Sequence, residues 1–577
     1  MTAVIQAKRK MPVGMDDFKK IRETCYFVDK TSFISDFLRN HNEVTLLTRP
    51  RRFGKTLLMS MMDCFLSMDR KDECRHLFDG LMVSRDAVSM QEQGARPVVS
   101  LTFKDIKQPT WQYMLGSLAA CLSQCFSRHL FLEDSHALTD TERMLFRRIC
   151  RKQASYPELS RALLDLTRML RKHFGKPAVV LLDEYDTPVQ YAWQQGFYDD
   201  CIAFMKVLLG SVLKGNSSLD FALVTGVLRI AKESIFSGLN NLDVCSVIRP
   251  KFSSACGFTK DEINSMAKDL DFEDKLWEVA DWYDGYRFSG IGIYNPWSVV
   301  SYIDNGFRAR AYWANTSGNG ILRKLLPQAS GRRARDLREL LGGKPLFSAV
   351  DEGVIYSGIE SNEDALLTML LTTGYLTPAH DADMDSDMLP LVIPNNEIRK
   401  VYAKEILEVL ASGACFGDYR RMLEQMLRGD AERFGESLQS ILSAMASAFD
   451  TASDKQEAFY HGLMLGLVAT LHGNGYQVKS NGESGNGRFD IAIFPMDASR
   501  PGVLMEFKAA SGIEGLRDLA QEARKQIDAK GYMEEFRSRG IGTVWGYGIA
   551  FAGKSIALAA DSGKPSVADD RLRGLSH

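Results

Sequence analysis

The 577-residue chain has no C-x-x-C pair among its ten cysteines, which stand at 25, 64, 74, 121, 125, 150, 201, 245, 256 and 415. Most lie in apolar helix-like or strand-like surroundings. That pattern fits the reduced, buried thiols of a cytoplasmic protein better than a disulfide framework or a zinc site. A bilayer-length apolar run is also missing. The longest, Ala458 to Leu471, holds His461 and two glycines and reads as a buried helix, so no membrane partner is expected. Lys8, Arg9 and Lys10 are followed by no apolar core, and no secretory signal is expected. Charge of one sign is not in excess either. With a net charge of −2, any contact with nucleic acid must come from local basic patches. There is no tandem repeat and no long low-complexity linker. What remains is an ordinary globular composition, 45% apolar and 25% charged, in a length that suggests about three or four domains.

Against that background one segment stands out, Thr48-Arg49-Pro50-Arg51-Arg52-Phe53-Gly54-Lys55-Thr56. It follows an apolar strand (Val44 to Thr48) and precedes an apolar helix that runs to about Met68. A strand, a tight loop ending Gly-Lys-Thr and a helix together form a phosphate-binding element. The main-chain N–H groups of Phe53 through Leu57 face the phosphates, Lys55 reaches the outer ones, and the Thr56 hydroxyl ligates Mg²⁺. Arg49 replaces the first glycine of the usual pattern and cannot reach glycine-only conformations cheaply, while Pro50 removes a donor. Arg51 and Arg52 offset this if their guanidinium groups lie near the phosphates; the alternative is that they bind nucleic acid or an acidic neighbour.

Such a loop predicts an apolar strand that ends in acids. Pro177 to Asp186 is that strand, with Asp183 for the metal and Glu184 to deprotonate the attacking water. On a strand lying between the two, Leu219–Thr225, Thr225 senses the terminal phosphate. Just beyond it Arg229 stabilises transition-state charge, in its own subunit or across an interface, which would require a homo-oligomer. An ordinary strand end is the competing role for Thr225, and a structural ion pair for Arg229. Asp186 and Thr187 read as helix-capping or turn residues.

Strands at Val98–Phe103 and Asp243–Ile248, with long helical stretches from Trp111 to Arg128 and from Asp140 to His173, make residues 1–257 an α/β domain with a parallel sheet. Residues 258–340 read as a helical lid, 341–411 as a winged-helix-like subdomain, and 412–455 as a helical connector. The remainder, 456–577, is a small α/β domain. Its strands Phe489–Phe494 and Gly502–Phe507 carry Asp490 and the spaced pair Glu506 and Lys508. Residues two apart on a strand share a face, so two carboxylates and a lysine converge. The acids and the Phe507 carbonyl suit Mg²⁺, with Mn²⁺ a workable substitute, and Lys508 orients water for attack on a phosphodiester. Glu457 on the preceding helix adds a carboxylate, and Gln526 on the following helix positions water; solvated helix-face positions are the competing roles for both.

The chain resembles a bacterial family of AAA-ATPase-like proteins with a C-terminal PD-(D/E)XK nuclease-superfamily domain. The resemblance runs through Val13–Phe18, Tyr26–Thr31, the Thr48–Thr56 loop, Leu182–Asp186, Ser234–Asn241, Trp282–Phe288, Thr316–Asn319 and Ile393–Asn395. It makes Arg49 a shared feature of that family's loop. It implies an AAA (ASCE-like) P-loop fold that binds ATP and Mg²⁺, joined to a restriction-endonuclease-like fold. The superfamily's positions carry over to Asp490, Glu506 and Lys508, with Glu457 and Gln526 as additions. The function it implies is an ATPase coupled to a metal-dependent nuclease acting on DNA or RNA, in a defence or mobile-element setting. The alternative is a nucleotide-dependent switch whose nuclease-like domain binds nucleic acid without cutting.

Overall fold

The computed structural model describes residues 10–40, 42–230, 240–313, 340, 344–353, 363–402, 416–444 and most of 460–560, omitting 462–463, 466, 469–470, 472–474, 481–482, 485–486, 511, 530–531 and 554. Two compact units result: Met1–Trp313 with Phe347–Asn395, and Ala314–Leu346 with Asn396–His577.

The first unit is built on five parallel strands: β1 (Val44–Thr48), β2 (Val98–Thr102), β3 (Ala178–Asp183), β4 (Leu219–Gly226) and β5 (Leu242–Cys245). Their order across the sheet is β2-β3-β4-β1-β5. Every residue of β1 and β3 is buried, as continuous apolar runs covered on both faces must be. The order matters for function because β4 runs between β1 and β3. In the register Thr48 pairs with Gly226, Leu47 with Thr225, and Thr102 with Asp183, so the polar strand ends meet at one edge of the sheet. Open α/β sheets bind ligands beyond that edge, where neighbouring strands connect to opposite faces.

Two helical expectations are corrected. The stretch Asp140 to His173 is three helices, Asp140–Cys150, Tyr156–Ser160 and Ala162–Phe174. Lys152 has a positive φ of 58°, and Ser155 opens a new helix through a capping box with Glu158, with Pro157 in its first turn. The segment read as a helical lid also contains an antiparallel sheet of order β6-β8-β7, from β6 (Phe258–Thr259), β7 (Tyr286–Phe288) and β8 (Ile291–Tyr294). Ser289 and Gly290, at φ 47° and 82°, make the two-residue turn that joins β7 to β8. Helices Lys260–Leu270, Leu276–Tyr283 and Pro296–Asp304 surround it. The winged-helix-like segment shows helix Glu363–Thr373 and a small sheet of order β10-β11-β9, from β9 (Leu346–Ser348), β10 (Thr377–Pro378) and β11 (Leu389–Val392).

The second unit holds the connector helices Phe416–Arg428 and Ala431–Ala444, strand β12 (Tyr476–Ser480) and the two-residue strands β13 (Glu483–Ser484) and β14 (Gly487–Arg488). These are followed by β15 (Ile491–Pro495), β16 (Gly502–Ala509), β17 (Val544–Ala552) and β18 (Ser555–Ala560). The sheet order is β12-β15-β16-β17-β18, and only β16–β17 is parallel. Along β16, Val503, Met505 and Phe507 enter one core with Met422, Met426, Phe434 and Leu438 from the connector helices. Leu504 joins the opposite core with Ala492, Phe494, Ile527 and Phe536. Helix Leu516–Ala529 reaches β17 at Gly548, where a Cβ would stand 2.3 Å from the main-chain Ala520 O and Arg524 N. Gly548→Ala therefore forces backbone apart, and destabilisation of about 1–3 kcal/mol is expected as a lowered thermal midpoint of the full chain.

Candidate nucleotide and nuclease sites

The loop after β1 leaves the sheet with the Arg49 N–H donating to Gly226 O at 3.1 Å. Its left-handed positions are Arg52 at φ 68° and Gly54 at φ 89°, and Arg49 is not among them. Position 49 therefore needs no glycine, contrary to the expectation from the motif; the strain, roughly 1–2 kcal/mol, falls on Arg52. The Arg49 side chain instead turns into the protein and is wholly buried. Its guanidinium donates to Thr48 O at 2.8 Å and to Cys245 O and Phe252 O at 2.7 Å, with the Phe288 ring 5.3 Å away. Burial lowers its pKa, yet a guanidinium stays charged at any physiological pH. The buried arginine thus ties the loop entrance to the end of β5 and to the turn beyond it.

The neighbouring arginines have protein partners too. Arg51 Nη2 donates to Gln190 Oε1 at 2.7 Å, and the Trp313 indole N–H donates to Arg51 O at 3.3 Å. The Arg52 guanidinium stacks over Trp297 at 4.2 Å. Phe53 is buried against Tyr286 and Phe288, and its carbonyl accepts the Gly257 N–H at 3.0 Å. Phe53 therefore holds the loop from below through its side chain. Gly54 precedes the helix Lys55–Leu66, whose first N–H groups, including that of Leu57, are free of intrahelical partners by position. The Lys55 ammonium donates to Arg49 O and Pro50 O at 3.0 and 2.9 Å.

Asp183 is the meeting point of the site. It is buried at the tip of β3; its Oδ1 accepts the Thr225 hydroxyl at 2.5 Å, and its Oδ2 accepts those of Thr56 at 2.8 Å and Thr102 at 3.2 Å. Burial raises its pKa, opposed by the Thr225 and Thr56 hydroxyls and by the Lys55 charge. Glu184 follows at φ 52°, turned off the strand direction; its N–H donates to Thr225 Oγ1 at 3.4 Å and its Oε2 accepts the Thr187 hydroxyl at 3.2 Å. Thr56 and Asp183 together offer oxygen donors of the kind Mg²⁺ takes. Among the described residues no hydrogen bond links Arg229 to Asp183 or Glu184. Thr102 and Gln190 were not anticipated from the sequence; Thr102 sits at a strand end, a signal that was available.

In the second unit, Asp490 lies just before β15. The pairing of Ile491 with Met505 brings it opposite Glu506, and its Oδ2 accepts the Phe507 N–H at 2.7 Å. Glu506 is buried, 4% exposed, and its Oε1 accepts the Gln526 side-chain N–H. Lys508 is half-buried two residues further on the same strand. His461 Nε2 stands 3.0 Å from Asp490 O with its ring 5.8 Å from that of Phe507, a neighbour that the apolar Ala458–Leu471 run disguised as core. Glu457 lies outside the described residues. Among the described residues no group of three or more His, Cys, Asp or Glu side chains is placed to hold a metal. This site offers two carboxylates, a donor set that suits a hard divalent cation.

Residues 12–236 match the family described as a predicted AAA-ATPase, and residues 455–560 match the PD-(D/E)XK nuclease superfamily. The chain is also 25% identical over 549 residues to an uncharacterized protein in the vnfD 5' region of Azotobacter chroococcum mcd 1, covering 92% of this chain and 95% of that protein. No described helix is long and apolar enough to cross a membrane.

The raised pKa of Asp183 gives a stability prediction for the chain without nucleotide. The carboxyl ionises less readily folded than unfolded, so its burial costs nothing below the ordinary carboxylate range, and the cost grows as pH rises through the folded value. Asp183→Asn should therefore raise the thermal midpoint at pH 7 relative to the parent, and the difference should vanish at acid pH; the check is melting across a pH series.

Proposed function

For a chain that joins an AAA-ATPase-like domain to a PD-(D/E)XK nuclease-superfamily domain, we propose that ATP binding and hydrolysis at the first control Mg²⁺-dependent phosphodiester cleavage by the second. The observation that carries the nucleotide half is the convergence of the Thr56 and Thr225 hydroxyls on Asp183. In this reading Lys55 leaves its loop carbonyls for the outer phosphates, and the N–H groups of Phe53 to Leu57 hold the inner ones. Thr56 and Asp183 hold the metal, which supplies charge neutralisation on the phosphates. Glu184 takes the proton of the attacking water, Thr225 reports the terminal phosphate, and Arg229 supplies positive charge as the bond breaks.

In the nuclease-like domain, Asp490 and Glu506 would hold the divalent ion, Mg²⁺ or Mn²⁺, with Glu457 as a further carboxylate. Lys508 orients the attacking water and Gln526 fixes Glu506. The proposed substrate is DNA or RNA, the proposed setting the cytoplasm of a bacterium in defence or mobile-element biology. The working divisions are 1–257, 258–340, 341–411, 412–455 and 456–577. A homo-oligomer follows if Arg229 acts in trans.

Glu184→Gln should bind ATP with near-parental affinity while turnover falls by about 10²–10⁴-fold, the usual worth of a general base. Lys508→Ala should abolish Mg²⁺-dependent cleavage and leave ATP turnover intact. Cleavage is read on single- and double-stranded DNA and RNA, with and without ATP. If the parent protein cuts none of them, the nuclease half is wrong; unchanged turnover in Glu184→Gln removes its role as base.

A further inference from the structure

The motif Leu182-Asp183-Glu184-Tyr185-Asp186 has two residues to which the proposed chemistry assigns nothing. Both are buried, Tyr185 to 0% and Asp186 to 2% exposure, and both reach across to the segment that follows β4. Asp186 Oδ2 accepts the Val227 and Leu228 N–H groups, each at 2.9 Å. The Tyr185 hydroxyl donates to Leu228 O at 2.7 Å and accepts the Ile230 N–H at 3.0 Å. The Tyr185 N–H itself donates to Thr225 O at 3.1 Å. Five hydrogen bonds thus join residues 185–186 to residues 225–230, on both sides of Arg229.

The approach is too close for a side chain on the facing strand. A Cβ at Gly226 would stand 2.7 Å from Tyr185 Cε1 and 2.8 Å from Asp186 Oδ1. The turn at Glu184, with its positive φ of 52°, ends the strand and lets the next two residues face inward. Burial raises the Asp186 pKa, and the two N–H donors oppose that shift. A buried carboxyl held on two main-chain amides, beside a buried phenol held on a carbonyl and an amide, costs desolvation that ordinary packing would avoid. What the arrangement secures is a fixed geometry between the strand tip carrying Asp183 and Glu184 and the residues flanking Arg229.

We infer that Tyr185 and Asp186 are positioning residues, which fasten the Arg229 segment to the acid-bearing tip of β3 so that the two move as one body during nucleotide turnover. The inference rests on the ATPase reading above. Arg229 is useful at a developing charge only if its backbone is held in register with Asp183 and Glu184, and positioning errors of the order of an ångström cost large factors in rate. The clamp supplies that register without touching the nucleotide.

The test uses the full chain. Tyr185→Phe keeps the buried ring and removes only the hydroxyl. It should leave the affinity for a fluorescent ATP analogue within about twofold and lower kcat about tenfold at constant KM, the worth of one or two lost hydrogen bonds. Combining it with Arg229→Ala should lower kcat no further than Arg229→Ala alone, because both changes disable one device. Asp186→Asn, which keeps an acceptor oxygen for the two amides, should retain most of kcat where Asp186→Ala does not. Parental kcat in Tyr185→Phe, or losses that multiply in the double variant, overturns the clamp. Hydrogen exchange gives a readout independent of turnover. Mg²⁺–ATP should slow exchange at Ile230, whose N–H the Tyr185 hydroxyl accepts, in the parent and not in Tyr185→Phe; equal protection there in both overturns the inference. A parent chain that shows this protection but hydrolyses no ATP overturns the ATPase reading and leaves the fastening of the segment in place.

Discussion

A single buried carboxylate organises the first unit. Asp183 sits at the tip of β3 with hydroxyls from Thr56, Thr102 and Thr225 around it, one from the phosphate-loop helix and two from neighbouring strands. An ionised acid in such a place is costly unless charge-assisted hydrogen bonds satisfy it. The sheet order provides three such donors, which offset part of that cost. Only because β4 runs between β1 and β3 do Thr225 and the helix after β1 both reach that acid. Under the proposed function, a divalent ion held there would supply the counter-charge that neutral hydroxyls do not.

Around this node the phosphate loop is braced from within its own unit. Arg49 occupies the position where the motif has a glycine and reaches three carbonyls from residues 48, 245 and 252. Removing it would take away the donor that joins these three carbonyls across the loop entrance. The Arg52–Trp297 stack, the Arg51–Gln190 hydrogen bond and the Phe53 ring contacts brace the rest. The loop's arginines are therefore engaged with protein, and the Lys55 ammonium rests on two loop carbonyls.

Local pattern made much of this legible. Gly54-Lys55-Thr56 between two apolar runs, and Asp183-Glu184 at the end of another, are short-range signals, and the strand between them followed from the logic of the site. Glu506 and Lys508 share a face by strand periodicity alone. What escaped depends on partners remote in sequence. Nothing near Arg49 announces that Cys245 and Phe252 will receive it, and Asp186 reads as a capping or turn residue because its partners lie more than forty residues away. The β7–β8 hairpin was hidden among aromatic residues, although Ser289-Gly290 was a turn signal in plain sight. Composition outweighed periodicity there, and likewise at His461, whose apolar neighbours concealed its approach to Asp490.

The claim that most depends on this geometry is that Asp183 serves a metal-bound nucleotide. The direct measurement is titration of the full chain with ATP in the presence and absence of Mg²⁺, for the parent and for Asp183→Asn. The account predicts that Mg²⁺ tightens ATP binding by the parent and has no effect on the variant. An equal Mg²⁺ effect in both, or binding by neither, would contradict it.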